Sequence, residues 1–347
     1  MSASTASPAP HVAVRPAWLA LHDEEVLQPD LPIVDPHHHL WDRPGNRYFL
    51  FDFLRDAASG HAVVASVFVE CGTMHRAAGP AELRPIGETE FASGAAAMSE
   101  SGAYGECRAC AGIVAHADLR FDRIAATLDA HDRAGGGRLR GIRQISAWHP
   151  DPSARGSIAN PPPGLLAMPE VLRGAREVGR RGLSLDVFMY HTQLGELAAL
   201  ADQLPDLTVV LDHTGGAIGI GSYAGRRDEV FAAWRDGMRD LAARPKIHVK
   251  LGGFGMRVFG FDFGDRAVPA SSAELAEAWR PYIQTCIDLF GPTRCMFESN
   301  FPVDKGCFSY RVLWNAFKRL AAGSSAEETR RLFSGTASDV YRLPAVA

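Results

Sequence analysis

The chain has 347 residues, 46% of them hydrophobic and 22% charged, with a formal net charge of −4 at pH 7. It is long enough to bury the full core of one large barrel domain and too long for a small module. Lys and Arg are scattered and outnumbered, so no basic field exists for nucleic acid, and no apolar run reaches membrane-spanning length.

Met1 to Pro10 is made largely of Ser, Ala and Pro, with neither a basic start nor an apolar signal core. It reads as the frayed beginning of a cytoplasmic protein. The expected division is an N-terminal extension over residues 1–30 and a single domain over residues 31–347. Six cysteines are dispersed along the chain, and Cys107 with Cys110 lacks the second pair that a zinc ribbon needs. Reduced, mostly buried thiols are expected.

The first strand, Ile33-Val34-Asp35-Pro36, runs straight into His37-His38-His39. Alternate residues of an extended chain share a face, so His37 and His39 point into one cavity while His38 points away. Two imidazoles side by side suit a divalent metal. Seven further short apolar or β-branched runs follow: Val63 to Glu70, Cys110 to Ala115, Gly141 to Ile145, Leu183 to Phe188, Thr208 to His213, Ile247 to Leu251 and Cys295 to Phe297. Helical patterning lies between most of them, at Met168 to Arg181, Gln193 to Gln203, Ala224 to Ala243 and Ala273 to Phe290. Gly182 stands where a helix ends and the next strand begins. Eight strands alternating with helices predict the α/β class and closure into a (β/α)8 TIM barrel. Gly- and Pro-rich stretches at Gly72 to Gly94, His149 to Gly164 and Gly215 to Tyr223 read as long loops at strand ends, with Asn160 to Gly164 the stiffest.

Barrel enzymes take their reactive groups from the C-terminal ends of strands. Here those ends carry His37, His39, Glu70, Arg143, His191, His213, Lys250, Glu298 and Asn300. Arg143 is a fork for a substrate carboxylate, or it pairs with Glu70 or a helix end. Lys250 is a site residue, or it forms a buried pair with Glu298. His248 shares its face but lies deeper, where packing is the expected role. Trp41, Trp148 and Tyr190 suit a planar or ring-shaped substrate, or pack.

The segments Val34 to Asp42, Asp186 to Leu194, Leu211 to Gly216 and Met296 to Val303 resemble the amidohydrolase superfamily. More narrowly, the similarity is to the amidohydrolase-related (family 2) branch, which holds sugar-acid lactonases, the 2-pyrone-4,6-dicarboxylate lactonase type and some decarboxylases. It runs from about Pro32 to Leu343. The resemblance implies a mononuclear divalent metal, zinc first, held by His37 and His39 with His213 as a further ligand or substrate contact. His191 falls near the family's strand-five histidine. The family's strand-eight aspartate, which binds metal and takes a proton from the attacking water, corresponds to Asn300. An amide cannot take that proton. Glu298 shares the face of Asn300 one step deeper, and it is expected to supply the missing charge, with Asp304 as the second candidate.

These readings converge on a hydrolase that opens a small carboxylated lactone. Glu298, Asn300, His213 and Lys250 would carry the chemistry, and Arg143, His191, Glu70, Trp41 and Tyr190 the substrate. Two alternatives stand beside it: a metal-independent lactone isomerase or decarboxylase, and a non-catalytic barrel that binds a carboxylated ligand. No Gly-x-Ser-x-Gly elbow or phosphate loop occurs. The expected partner is a small anionic molecule, with no nucleic acid or membrane, and homo-oligomerisation stays open.

Overall fold

The strands form where the apolar runs are. In the computed structural model, which describes residues 11–156, 159 and 161–344, β1 (Ile33–His38) leads into a short hairpin of β2 (Trp41–Arg43) and β3 (Asn46–Tyr48). Then come β4 (Val63–Val69), β5 (Arg108–His116), β6 (Leu139–Ile145), β7 (Ser184–Phe188), β8 (Val209–Leu211), β9 (Ile247–Leu251) and β10 (Cys295–Phe297). The eight-stranded sheet has the order β1-β4-β5-β6-β7-β8-β9-β10, and its pairings are parallel. Beyond β10 the chain closes the circle. His38 bridges Phe301 in parallel fashion, the His39 N–H donates to the Phe301 carbonyl at 2.7 Å, and the Asn300 N–H donates to that of His37 at 2.9 Å. The fold is the expected (β/α)8 barrel.

Two apolar cores flank the strands. Leu185, Val187, Val209, Leu211 and Phe297 face outward against the helices, whereas Val34, Val67, Val210 and Met296 face the barrel interior. The bottom of that interior is stoppered by Ala337, Val340 and Tyr341 from the C-terminal helical segment. In β1 the inward parity of Val34 would carry Pro36 and His38 inward, not His37. A bulge prevents this: Asp35 and His38 pair with Ser66 and Phe68, so β1 spends one extra residue between them. The bulge turns His37 inward. His38 faces the helix layer, with its ring 4.0 Å from that of Phe53 and its Nε2 2.9 Å from the Ser66 hydroxyl.

The expected helices form over Pro169–Arg180, Leu194–Gln203, Arg227–Ala242 and Ser272–Phe290, and Gly182 has the left-handed φ of +66° that follows a helix end. The expected loop from Gly72 to Gly94 is corrected: Ile86–Glu100 is a helix. Its buried positions are mostly small, including Ala92, Ala95 and Ala96, so no strong apolar stripe marks it in the sequence. The hairpin at Trp41–Tyr48 and the helix Tyr310–Leu320 are further elements beyond the sequence reading.

Residues 11–30 are strapped to the helix layer. The Trp18 indole donates to the Arg266 carbonyl at 3.0 Å, and the Lys318 ammonium donates to the carbonyls of Leu27 and Gln28 at 2.7 and 2.8 Å. The expected fray at Met1 to Pro10 lies outside the described residues, as does Asn160. All six cysteines are free thiols. Among the described residues no helix is long and apolar enough to cross a membrane.

Candidate active site

Inside the upper half of the barrel the inward-facing side chains change from apolar to ionisable. Asp186 from β7, Asp212 just past β8, Lys250 from β9, Glu298 just past β10 and His37 from β1 are all wholly buried. Lys250 Nζ lies 2.9 Å from Asp186 Oδ2 and 3.0 Å from Asp212 Oδ1. Asp186 also accepts from the Tyr341 hydroxyl at 2.6 Å, so the stopper at the barrel bottom touches this layer. Burial works against the Lys250 charge, but the two aspartates and Glu298 outweigh it and raise its pKa to about 12.

The alternative pairing of Lys250 with Glu298 does not form among the described residues. Glu298 instead accepts from His213 Nδ1 at 2.6 Å and from the His213 backbone N–H at 3.1 Å, and its other oxygen is 2.9 Å from His37 Nδ1. Burial opposes its ionisation, yet the His213 and His37 imidazoles hold its pKa down at about 2. Two glycines after β9 make room for this contact. A Cβ on Gly252 would sit 2.5 Å from Glu298 Cγ, and one on Gly253 would sit 2.7 Å from the Cβ and Cγ of His213. His213, Thr214 and Asn300 all have left-handed φ angles, of 54°, 51° and 53°. Such backbone is unusual for a β-branched residue such as Thr214, and the Trp234 indole clamps it by donating to the Thr214 carbonyl at 2.6 Å.

The imidazoles are prepared as ligands. His39 donates from Nδ1 to the Val69 carbonyl at 2.8 Å and His213 donates from Nδ1 to Glu298, which leaves the Nε2 lone pair of each ring unprotonated. The tightest grouping of ligand atoms is His37, Asp212 and His213, within 4.8 Å of one another. It shares His37 and His213 with the expected trio of His37, His39 and His213. Anchored on Val69, His39 stands with its ring 4.9 Å from that of His37, and Asp212 takes its place in the group. The donor set fits a divalent cation. Four buried carboxylates, Glu70, Asp186, Asp212 and Glu298, stand with the two permanent cations Lys250 and Arg143, and Glu298 is met by the His37 and His213 imidazoles. Imidazole nitrogen with carboxylate oxygen is also a zinc-type donor set.

Above this layer opens a cavity of about 430 Å³, lined among others by His39, Trp41, Arg43, Glu70, His116, Arg143, His213 and Asn300. Five of the sequence-named residues therefore reach it besides Asn300. The Asn300 amide donates to Asp304 Oδ1 at 2.8 Å, and the other Asp304 oxygen accepts from the Gly255 N–H at 2.9 Å. Arg143 donates through Nε to Glu70 Oε1 at 2.7 Å, so the pairing alternative for Arg143 is the one realised.

Lys250, Glu298, Tyr190 and His191, like His37, are not among the residues that line the cavity. Lys250 and Glu298 lie beneath the cavity floor, sealed by the rings they contact. Tyr190 turns its hydroxyl to the Gly156 N–H at 2.9 Å, and His191 accepts from the Ile218 N–H at 3.3 Å; both brace loops rather than line the cavity. The sequence reading passed over Asp186 and Asp212 as site residues, although both sit at inward parity two residues before or after buried neighbours of the same face. Arg43, on the unforeseen hairpin, left no signal of this kind.

Fold and site together define a barrel protein with a histidine and carboxylate centre at the C-terminal ends of its strands. The chain belongs to the amidohydrolase family, whose model matches residues 34–343. It is 32% identical over 336 residues to the protein y4mH of Sinorhizobium fredii, covering 90% of this chain and 99% of that one. It is 30% identical over 235 residues to an L-fucono-1,5-lactonase of Burkholderia multivorans, covering 67% and 72% of the two chains. An amidohydrolase of Burkholderia multivorans solved with bound zinc superposes with a TM-score of 0.68 at 25% identity, over 90% of this chain and 99% of that one.

Proposed function

We propose that this protein is a hydrolase that opens a small carboxylated lactone, with a divalent cation, zinc first, among His37, Asp212 and His213. The observation that carries the reading is the buried grouping of His37, Asp212 and His213, whose ligand atoms lie within 4.8 Å of one another beside a cavity that His213 also lines. The lactonase relative and the zinc-bound neighbour support it. When bound, the cation would polarise the ester carbonyl and acidify a water.

The chain's own residues supply the rest. Asn300, standing where the family aspartate is expected, offers an amide to the substrate instead of a base. His213 lines the cavity, and the Glu298 carboxylate holds its Nδ1–H, which orients the ring and keeps the Nε2 lone pair for the cation. Glu298 thus replaces the missing carboxylate at one remove, as a positioning residue. Trp41, stacked on His39 with ring centres 5.8 Å apart, forms an apolar wall for a ring substrate.

The test is a panel of sugar-acid and dicarboxylic lactones, assayed with and without chelator, with metal content measured on protein purified without chelator. The ring-opened acid is expected, with about one metal per chain. In Glu298→Gln, turnover should fall about 100-fold or more with the fold intact. Products that keep the ring or release carbon dioxide would replace this reading with an isomerase or decarboxylase. No turnover of any lactone, with a ligand still bound, would leave a binding protein.

A further inference from the structure

The two cations expected to hold an anionic substrate are both spoken for. Arg143 is paired with Glu70, and Lys250 with Asp186 and Asp212. The cavity nevertheless contains another guanidinium. Arg43 projects from the β2–β3 hairpin and lines the same space as His39, His213 and Asn300. Its partners are all neutral: it donates to His11 Nε2 at 2.9 Å and to the Cys71 carbonyl at 3.0 Å, and its guanidinium carbon lies 3.9 Å from the centre of the Trp41 ring.

Among the described residues no carboxylate comes within 4.0 Å of Arg43, whereas Arg143, which lines the same cavity, is paired with Glu70. Glu88, on the adjoining helix, accepts through one oxygen from the N–H groups of Cys71 and Thr73 at 2.8 and 3.2 Å, and its other oxygen lies 3.5 Å from His75. A half-buried guanidinium without a counter-ion is costly unless something anionic completes it. Five N–H groups are available on an arginine and two are used here, so three remain for a ligand. The stack of His11, Trp41 and the guanidinium holds the group in place: the His11 and Trp41 rings are 5.5 Å apart and 7° from parallel.

We propose that Arg43 is the anchor for a ligand carboxylate, held at the cavity wall by the hairpin while the reacting ring lies toward His213 and Asn300. The inference rests on the cavity being the active site and names the residue that selects anionic over neutral substrates. It makes the hairpin a specificity element and removes that role from Arg143 and Lys250.

Calorimetric titration of the full chain with glutarate and tricarballylate, each against its amide, tests this directly. At least one carboxylate should bind the wild type about tenfold or more tightly than its amide. Arg43→Met, which keeps an apolar contact on Trp41, should weaken that carboxylate about 10- to 100-fold and leave the amide unchanged. Arg43→Lys, which keeps the charge and loses the fork, should fall between, and it carries the test if the methionine variant does not fold. Carboxylates that bind no better than amides, or bind both variants as well as the wild type, would overturn the proposal. Carboxylate binding through Arg43 without opening of any lactone would sink the hydrolase reading and leave Arg43 in place. Equal turnover of neutral and carboxylated lactones, unchanged in Arg43→Met, would do the reverse.

Discussion

At the scale of single residues, the environment decides what each ionisable group can do. Glu298 and Asp304 are both buried carboxyls near the end of β10, yet they titrate in opposite directions. Glu298 has two imidazoles and stays ionised, whereas Asp304 has only neutral amide donors, and burial pushes its pKa up to about 7. Folding therefore favours protonated Asp304. Below about pH 4 the group is protonated in both states and costs nothing. As pH rises from 4 through 7 the unfolded chain releases the proton more readily, so stability falls and the full penalty is present above 7. The span corresponds to roughly 2–4 kcal/mol. Urea unfolding at several pH values should show Asp304→Asn gaining on the wild type as pH rises from 5 to 8. A difference between the two that does not change with pH would contradict this.

Elements place these residues, and two of them do so through features with opposite visibility. The strand alternation that turns His37 and His39 to the same side is readable because the eight barrel strands are short apolar runs bounded by polar residues. The β1 bulge that makes His37 the inward residue is not, because a bulge is set by pairing with Ser66 and Phe68, 28 or more positions away. The helix Ile86–Glu100 escaped notice because alanines bury little area, yet its Glu88 holds the loop that carries Cys71 and His75 at the cavity edge. The glycine pair after β9 shows what such placement demands. Gly253 has φ +78° and would drive a Cβ into His213, while Gly225 has φ +76° with open space around it. Gly225→Ala should cost only the left-handed strain of about 1 kcal/mol. Gly253→Ala should cost about 2–4 kcal/mol and reduce lactone turnover by tenfold or more, because His213 must move. Melting temperature and turnover measured side by side separate the two terms, and equal effects of the two substitutions would show that the His213 contact is unimportant.

For the whole molecule, the central fact is a polar layer built into the middle of a barrel whose lower interior is apolar. Five parallel strands and the C-terminal stopper contribute to it, and its partners face one another across distances of about 3 Å. Removing one partner strands the others. Lys250→Met should destabilise the protein by about 3–5 kcal/mol by leaving Asp186 and Asp212 facing each other without a cation. Adding Asp186→Asn to that variant should restore part of the loss, as read by denaturant unfolding. Near-wild-type stability of Lys250→Met alone would mean that the ammonium is not what holds the layer together.

The barrel order, the boundaries of four of its helices and the gathering of ionisable groups at strand ends are written in local periodicity, which a window of five to fifteen residues carries. The sequence by itself therefore determined the class of fold and the rim on which the site stands. Only the tertiary structure decided the pairings: Glu298 with His213 and His37, Lys250 with two aspartates, Arg143 with Glu70, and Arg43 with none. Each of these joins strands or loops far apart in the chain. Their outcome depends on which long side chain reaches across the closed barrel first and which charge is left over, and no local pattern records that competition.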